Sequence, residues 1–159
     1  MAIDKIIVTV MLIIGGVVAS FAVFNSVYPA VERSSQAVSS AADVVNDRMT
    51  SRIEIIQVGG SGTTVDAWVK NVGAARIGGI EGSDIFFGMD GGVSRMAFGD
   101  NSTSPPYWSY QLEGGNAQWG QAVTNRITIH LADSPSPGVY LMKMVIPNGI
   151  FDESVFSLE

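Results

Sequence analysis

The 159-residue sequence has no cysteine and a single histidine, His130. The first absence excludes a disulfide scaffold, a thiolate metal site and a thiol nucleophile; the second excludes a multi-histidine metal cage. Charge is scarce as well, since Asp, Glu, Lys and Arg make up 15% of the chain against a usual share of about 25%. The balance is acidic, at −6 net. That argues against nucleic acid as a partner, because phosphate neutralisation needs a basic surface. An apolar fraction of 47% argues equally against disorder.

The apolar residues are concentrated at one end. No charge occurs between Ile6 and Val31, and Ile6 to Phe24 reads IIVTVMLIIGGVVASFAVF. At a rise of about 1.5 Å per residue, about 20 such residues cross a hydrocarbon layer of roughly 30 Å. A cleaved secretory signal would have an apolar run of about 7–15 residues, a basic head and a small-residue cleavage site. Here the run is longer, the head MAIDK carries one acid and one base, and no A-x-A site follows, so a retained membrane helix is expected. Lys5 and Arg33 give little positive-inside asymmetry; a short N-terminus before a large acidic domain points to an exported C-terminal domain. Gly15 and Gly16, with Ala19 and Ser20 four residues on, have the small-xxx-small spacing that lets helix backbones approach closely.

The helical pattern continues beyond the span. Pro29 is expected to kink it, having no N–H to give the preceding turn. Past it Val31, Val38 and Val45 recur every seven residues, with Ala42 and Met49 on neighbouring positions. That is a narrow apolar stripe suited to packing on another helix. A helix from Ile6 to Met49 would be about 65 Å long, a stalk rather than a core element. Residues 1–50 therefore form a hydrophobic helix and stalk, and residues 51–159 a second domain with no flexible linker between them.

From about Thr50 the period changes from helical to alternating. Expected strands are Ile53–Val58, Thr63–Val72, Ser83–Met89, Val93–Phe98, Tyr107–Leu112, Thr124–Leu131, Val139–Ile146 and Ser154–Leu158. In the second, Val65, Ala67 and Val69 share one face, and Asp66, Trp68 and Lys70 the other. Turn clusters separate the strands, among them Gly59-Gly60-Ser61-Gly62, Asp90-Gly91-Gly92 and Pro147-Asn148-Gly149. Short strands at this spacing describe an antiparallel, immunoglobulin-like sandwich. The expected fold class is thus α+β: a long N-terminal membrane helix followed by an all-β sandwich.

Catalytic chemistry finds little support. His130 lies in ITIHLA, inside a strand and opposite in direction to Ile129 and Leu131, and no G-x-S-x-G elbow accompanies it. Asp90, Asp100, Asp133 and Asp152 adjoin turn residues, where Asp is favoured for local backbone bonding. No EF-hand spacing or phosphate-loop context occurs. The expectation is no enzyme, no cofactor and no metal. Asn101-Ser102-Thr103 is an N-glycosylation acceptor in a polar loop, consistent with an exported domain. Trp68, Tyr107, Trp108, Tyr110 and Trp119 either fill the sandwich core or mark a partner-binding face. Tyr107 and Trp108 point in opposite directions, so one of them is expected to face outward.

The N-terminal stretch MAIDKIIVTVMLIIGGVVASFAVFNSVYPAVERSSQAV resembles the corresponding region of the archaeal flagellin (archaellin) superfamily, which is type IV pilin-like. The C-terminal GVYLMKMVIPNGIFDESVFSL resembles the sandwich domain of archaellum accessory proteins. The resemblance implies a structural part of the archaellum, the motility filament of archaea. It implies self-association or contact with other archaellum proteins, with the surface layer as an alternative contact of the sandwich. Archaellins have a basic leader ending in glycine before the apolar helix; none precedes Ile6, which favours an anchored accessory or stator protein over a filament subunit. A third alternative is a membrane-tethered binding module, with the helix as a plain anchor.

Overall fold

The structure, a computed structural model, describes residues 2–89, 91–100 and 102–159. Among these are one α-helix, α1 (Ala2–Thr50), and eight strands. The strands are β1 (Ile53–Ser61), β2 (Thr64–Asn71), β3 (Asp84–Met89), β4 (Ser94–Phe98), β5 (Tyr107–Leu112), β6 (Thr124–His130), β7 (Gly138–Val145) and β8 (Phe151–Leu158). The chain divides into two compact units, Met1–Asp43 and Val44–Glu159. The last turns of α1 thus belong with the strands. Pro29 lies within α1 without ending it.

The first unit is helix alone. Its large apolar side chains from Ile3 to Val38 are all exposed, although Phe24 and Tyr28 stack on one another along the helix. The helix is long and apolar enough to cross a membrane.

The second unit is one eight-stranded sheet in the order β1-β2-β6-β5-β4-β3-β7-β8. All pairings are antiparallel except the short parallel contact between β4 and β5. The sheet folds back on itself into a sandwich that approaches a closed barrel. At the seam between its two edge strands, the Ile55 N–H of β1 donates to the Asp152 carboxylate of β8 at 2.8 Å. Asp152 therefore satisfies an edge-strand donor rather than serving its adjacent turn.

Alternation sets the core, as successive strand residues point to opposite faces. Val65, Ala67 and Val69 of β2, Trp108 of β5, and Ile127 and Ile129 of β6 enclose one side. Ile85 and Phe87 of β3, with Tyr140, Met142 and Met144 of β7, enclose the other. Burying each Val, Ile, Phe or Met among them contributes about 1.5–3 kcal/mol, and this core has no disulfide to assist it.

Two strands run further than the sequence pattern suggests. β1 continues through Gly59, Gly60 and Ser61, which pair with Asp66, Val65 and Thr64. The expected four-residue turn is reduced to residues 62 and 63, with Gly62 at φ 59°. Leu158 packs over Gly60: a Cβ there would lie 2.7 Å from a Leu158 methyl and would have to displace it. β8 starts at Phe151 rather than Ser154, because the turn at Gly149 (φ 86°) is tight enough to pair Val145 directly with Phe151.

Candidate functional site

Three surfaces deserve a functional reading: the helix, the joint between its end and the sheet, and the two outward faces of the sandwich.

On the helix, Leu12, Ile13, Val17, Phe21 and Phe24 border a shallow apolar groove with Gly16 and Ser20 on its floor. A Cβ on Gly15 or Gly16 would meet nothing within 4 Å, so the glycines leave room for a neighbouring backbone. The hydroxyls are satisfied within the helix: Ser20 donates to the Gly16 carbonyl and Thr9 to the Lys5 carbonyl, each at 2.8 Å. Such back-bonding suits a hydrocarbon environment, where an unpaired polar group costs several kcal/mol. Ala19 shares the rim of a second apolar groove with Val23, Val27 and Val31. Val31, Val38, Val45 and Met49 are all exposed.

The joint lies within Val44–Glu159. A helix ends with carbonyls that lack intrahelical partners. Here the Thr50 carbonyl accepts from Ala74 N–H (2.9 Å) and Ala75 N–H (3.1 Å), and the Arg52 carbonyl from Val72 and Gly73. Arg48, in the last turn where a cation complements the helix dipole, donates from Nε to the Asn148 carbonyl at 2.9 Å. Asn148 Nδ2 in turn donates to Ser51 Oγ at 2.8 Å.

The buried Asn71 organises the loop that receives the helix end. Its Nδ2 donates to Ala75 and Trp119 carbonyls, and its Oδ1 accepts from Gly73 N–H at 3.0 Å. Gly73 cannot carry a side chain, because a Cβ would lie 2.4 Å from the Thr50 oxygen and 2.5 Å from the Arg52 nitrogen. Neither Asn71 nor Gly73 stands out in the sequence. Asn-x-Gly between a strand and a loop was the available signal, and it reads only as a turn.

The outward face of β1-β2-β6-β5 is polar and bonded to itself. Thr128 donates to Asp66 at 2.5 Å, and Arg126 to Gln111 at 2.6 Å. Ser109 Oγ and His130 Nε2 lie 3.0 Å apart. His130 also stacks on Tyr107 with ring centroids 4.3 Å apart. The Ser–His contact runs diagonally between β5 and β6, where His130 stands opposite Tyr107 and Thr128 opposite Ser109.

The aromatic residues have separate fates. Trp108 and Trp119 are 0% and 1% exposed, which makes them core and removes them from direct partner contact. Trp119 also donates from Nε1 to the Val123 carbonyl at 3.0 Å. Tyr107 does point outward, yet the His130 stack and its surroundings leave it buried too. Only Trp68 of the four, half-buried beside Arg126, presents itself on the outer face. Tyr110 donates to Glu81. That bond, first, holds the Glu81 carboxyl below its ordinary range. The same bond, followed by burial and the Glu81 charge, pushes the Tyr110 phenol up to about 12.

Among the acids at turns, Asp100 behaves as turn chemistry requires, accepting from Ser102 N–H at 2.9 Å. Asn101 and Asp90 lie outside the described residues. Among the described residues no group of His, Asp and Glu side chains could hold a metal ion.

Comparison with known proteins fits this architecture. No family model matches the chain. An uncharacterized protein of Archaeoglobus fulgidus is 28% identical over 161 residues, spanning 96% of this chain and 98% of its own. Among solved structures, the chain is similar to the archaellum periplasmic stator protein FlaG from Sulfolobus acidocaldarius. The identity is 28% and the TM-score 0.59, over 67% of this chain and 99% of that one. It is similar also to a chain of the stator complex of FlaF and FlaG from the same organism: 26% identity, TM-score 0.58, 65% of this chain and 87% of that one. The structural neighbours are archaellum stator proteins.

Proposed function

We propose that this chain is a structural, non-enzymatic component of the archaellum, anchored in the membrane by α1 and presenting its sandwich outside the cytoplasm. The observation that carries this is the likeness to FlaG, which extends over 99% of that chain at 28% identity. The apolar helix, unburied by its own chain, supports the anchoring. On this reading the sandwich makes the outer contacts, with a second archaellum protein, as FlaG has FlaF in the solved complex, or with the surface layer. The stripe Val31, Val38, Val45 and Met49 and the small face Gly15, Gly16 and Ala19 serve helix packing. Asn101 is a candidate for glycosylation and Trp68 for partner contact.

The joint has a mechanical role here. A stator must resist load, and Thr50, Arg48, Asn148 and Asn71 fasten the helix end to the sheet through backbone and side-chain hydrogen bonds rather than a flexible linker. The alternative reading is a filament subunit of the archaellin or pilin kind. The all-round exposure of α1 favours it to the extent that helices of other copies, rather than lipid, could cover that surface.

The test is deletion of the gene in its native host, followed by tracking of swimming cells. Loss of swimming at unchanged growth rate, restored by the intact chain but not by a chain lacking residues 2–30, is the expected result. Unchanged swimming in the deletion strain overturns the reading.

A further inference from the structure

The outward face of β4-β3-β7-β8 is apolar where its counterpart is polar. β7 contains Val139-Tyr140-Leu141-Met142-Lys143-Met144-Val145, an almost continuous apolar run. That is the pattern of a strand covered on both faces. Tyr140, Met142 and Met144 enter the core, while Val139, Leu141 and Val145 point away from it. The register adds to them: Val155 of β8 stands opposite Leu141, and Phe151 opposite Val145. Val139, Phe151 and Val155 remain 49%, 54% and 65% exposed.

The charges on this face cancel. Arg95 pairs with Asp84 at 2.6 Å, and Lys143 with Glu153 at 3.4 Å. Lys143 also sits 3.8 Å above the Phe151 ring. No other outward position on these four strands is charged, although the whole chain carries −6.

We propose that this face is the surface through which two copies of the chain meet, sheet against sheet, about a two-fold axis. A two-fold interface must be complementary to itself. Two chains of −6 repel one another over most of their surfaces, and like-charge juxtaposition opposes wrong docking. A neutral face built of two opposite-charge pairs and an apolar ridge escapes that repulsion, and its pairs can exchange partners across the axis. The strands are 5, 6, 8 and 8 residues long; at about 3.4 Å per residue and about 4.8 Å apart they give a face of roughly 440 Å² per copy, hence about 900 Å² for the pair. That falls just short of the about 1,000 Å² a specific interface needs in free solution. Tethering in one membrane raises the effective concentration enough for so small a contact to hold. This last step rests on the anchoring proposed above; the face itself does not.

The absence of cysteine makes the test clean. Full-length chain bearing Val155→Cys is solubilised in detergent and treated with a short bis-maleimide, beside a Lys70→Cys chain marked on the polar face. Rapid dimer formation by the first and not the second is expected. In parallel, sedimentation equilibrium compares the full-length wild type with Val155→Glu. A carboxylate within the apolar ridge of the contact should raise the dimer Kd about tenfold or more, with an unchanged thermal melt. Equal cross-linking of both cysteine variants, or a Kd indifferent to Val155→Glu, assigns association to the helix and overturns the proposal. Exclusive cross-linking of Val155→Cys to another protein in cells overturns it in favour of a heterologous partner. None of these outcomes alters swimming or anchoring by itself, so failure here is distinguishable from failure of the proposed function.

Discussion

The two units of this protein solve the hydrophobic problem in opposite ways. In Val44–Glu159, Val65, Val69, Trp108, Ile127, Ile129 and Met142 are removed from solvent by strands of the same chain. In Met1–Asp43, Ile6, Leu12, Phe21, Val31 and their neighbours have no such cover. The side chains are of the same kind, so the difference lies in what surrounds them. One unit buries its apolar side chains within itself, and the other leaves them exposed. The same contrast recurs on a smaller scale within the sandwich, where the Asp66/Thr128/Arg126 face is bonded to itself and the Val139/Val155/Phe151 face is not covered.

The largest expected effect is on location. Removing residues 1–43 should abolish membrane association entirely while residues 44–159 keep a cooperative thermal transition, read by flotation and circular dichroism. The cut is sharper than it looks. A chain starting at residue 51 also loses Arg48 and the Thr50 carbonyl, the acceptor for Ala74 and Ala75, and should be less stable by about 1–3 kcal/mol.

Point substitutions should divide along the same line. Ile127→Ala, at a wholly buried site, should cost about 2–5 kcal/mol through lost burial and a cavity. Val38→Asp, at an exposed site, should change the sandwich melt by less than about 0.5 kcal/mol yet abolish assembly or localisation in cells. If both variants shift the melt equally, the units are not independent. At the joint, Asn71→Ala leaves the Gly73 N–H and two carbonyls without their partner and should cost about 1–3 kcal/mol, visible in denaturant midpoints.

The smallest effect concerns Glu81 and Tyr110. A lowered carboxyl stabilises the fold above its ordinary pKa and loses that contribution as pH falls through the folded value. A phenol raised to about 12 stabilises below its unfolded value near 10 and loses that contribution as pH rises through 12. The pair therefore stabilises most between the carboxylate range and about pH 10. Tyr110→Phe should flatten this dependence and return the Glu81 carboxyl towards its ordinary range in an NMR titration; an unmoved Glu81 would show the bond to be unimportant.

Much of this was legible in residue order. The charge-free run from Ile6 to Val31 marks a helix long and apolar enough to cross a membrane, and Val65/Ala67/Val69 against Asp66/Trp68/Lys70 gives β2 and its inward face without ambiguity. What escaped depends on contacts distant in sequence. Asp152 reads as a turn residue until Ile55 is brought to it across the seam. Gly59-Gly60-Ser61 reads as a turn because glycine weakens a strand, and only the pairing with Asp66, Val65 and Thr64 shows that β1 continues. Trp108 and Trp119 are equally consistent with core and surface until the sheet encloses them. The aliphatic residues on both faces of β7 were the one available sign of a second covered surface, and strand counting passed over it.

The central claim is that this chain is an envelope-anchored part of the archaellum rather than a subunit along the filament. Quantitative mass spectrometry of sheared filaments and of the remaining membranes, from the native host with and without archaella, tests it most directly. The account predicts the chain in the membrane fraction, associated with archaellum proteins and absent from the length of the filament. Abundance throughout the sheared filaments, or a membrane pool that associates with no archaellum protein, would contradict it.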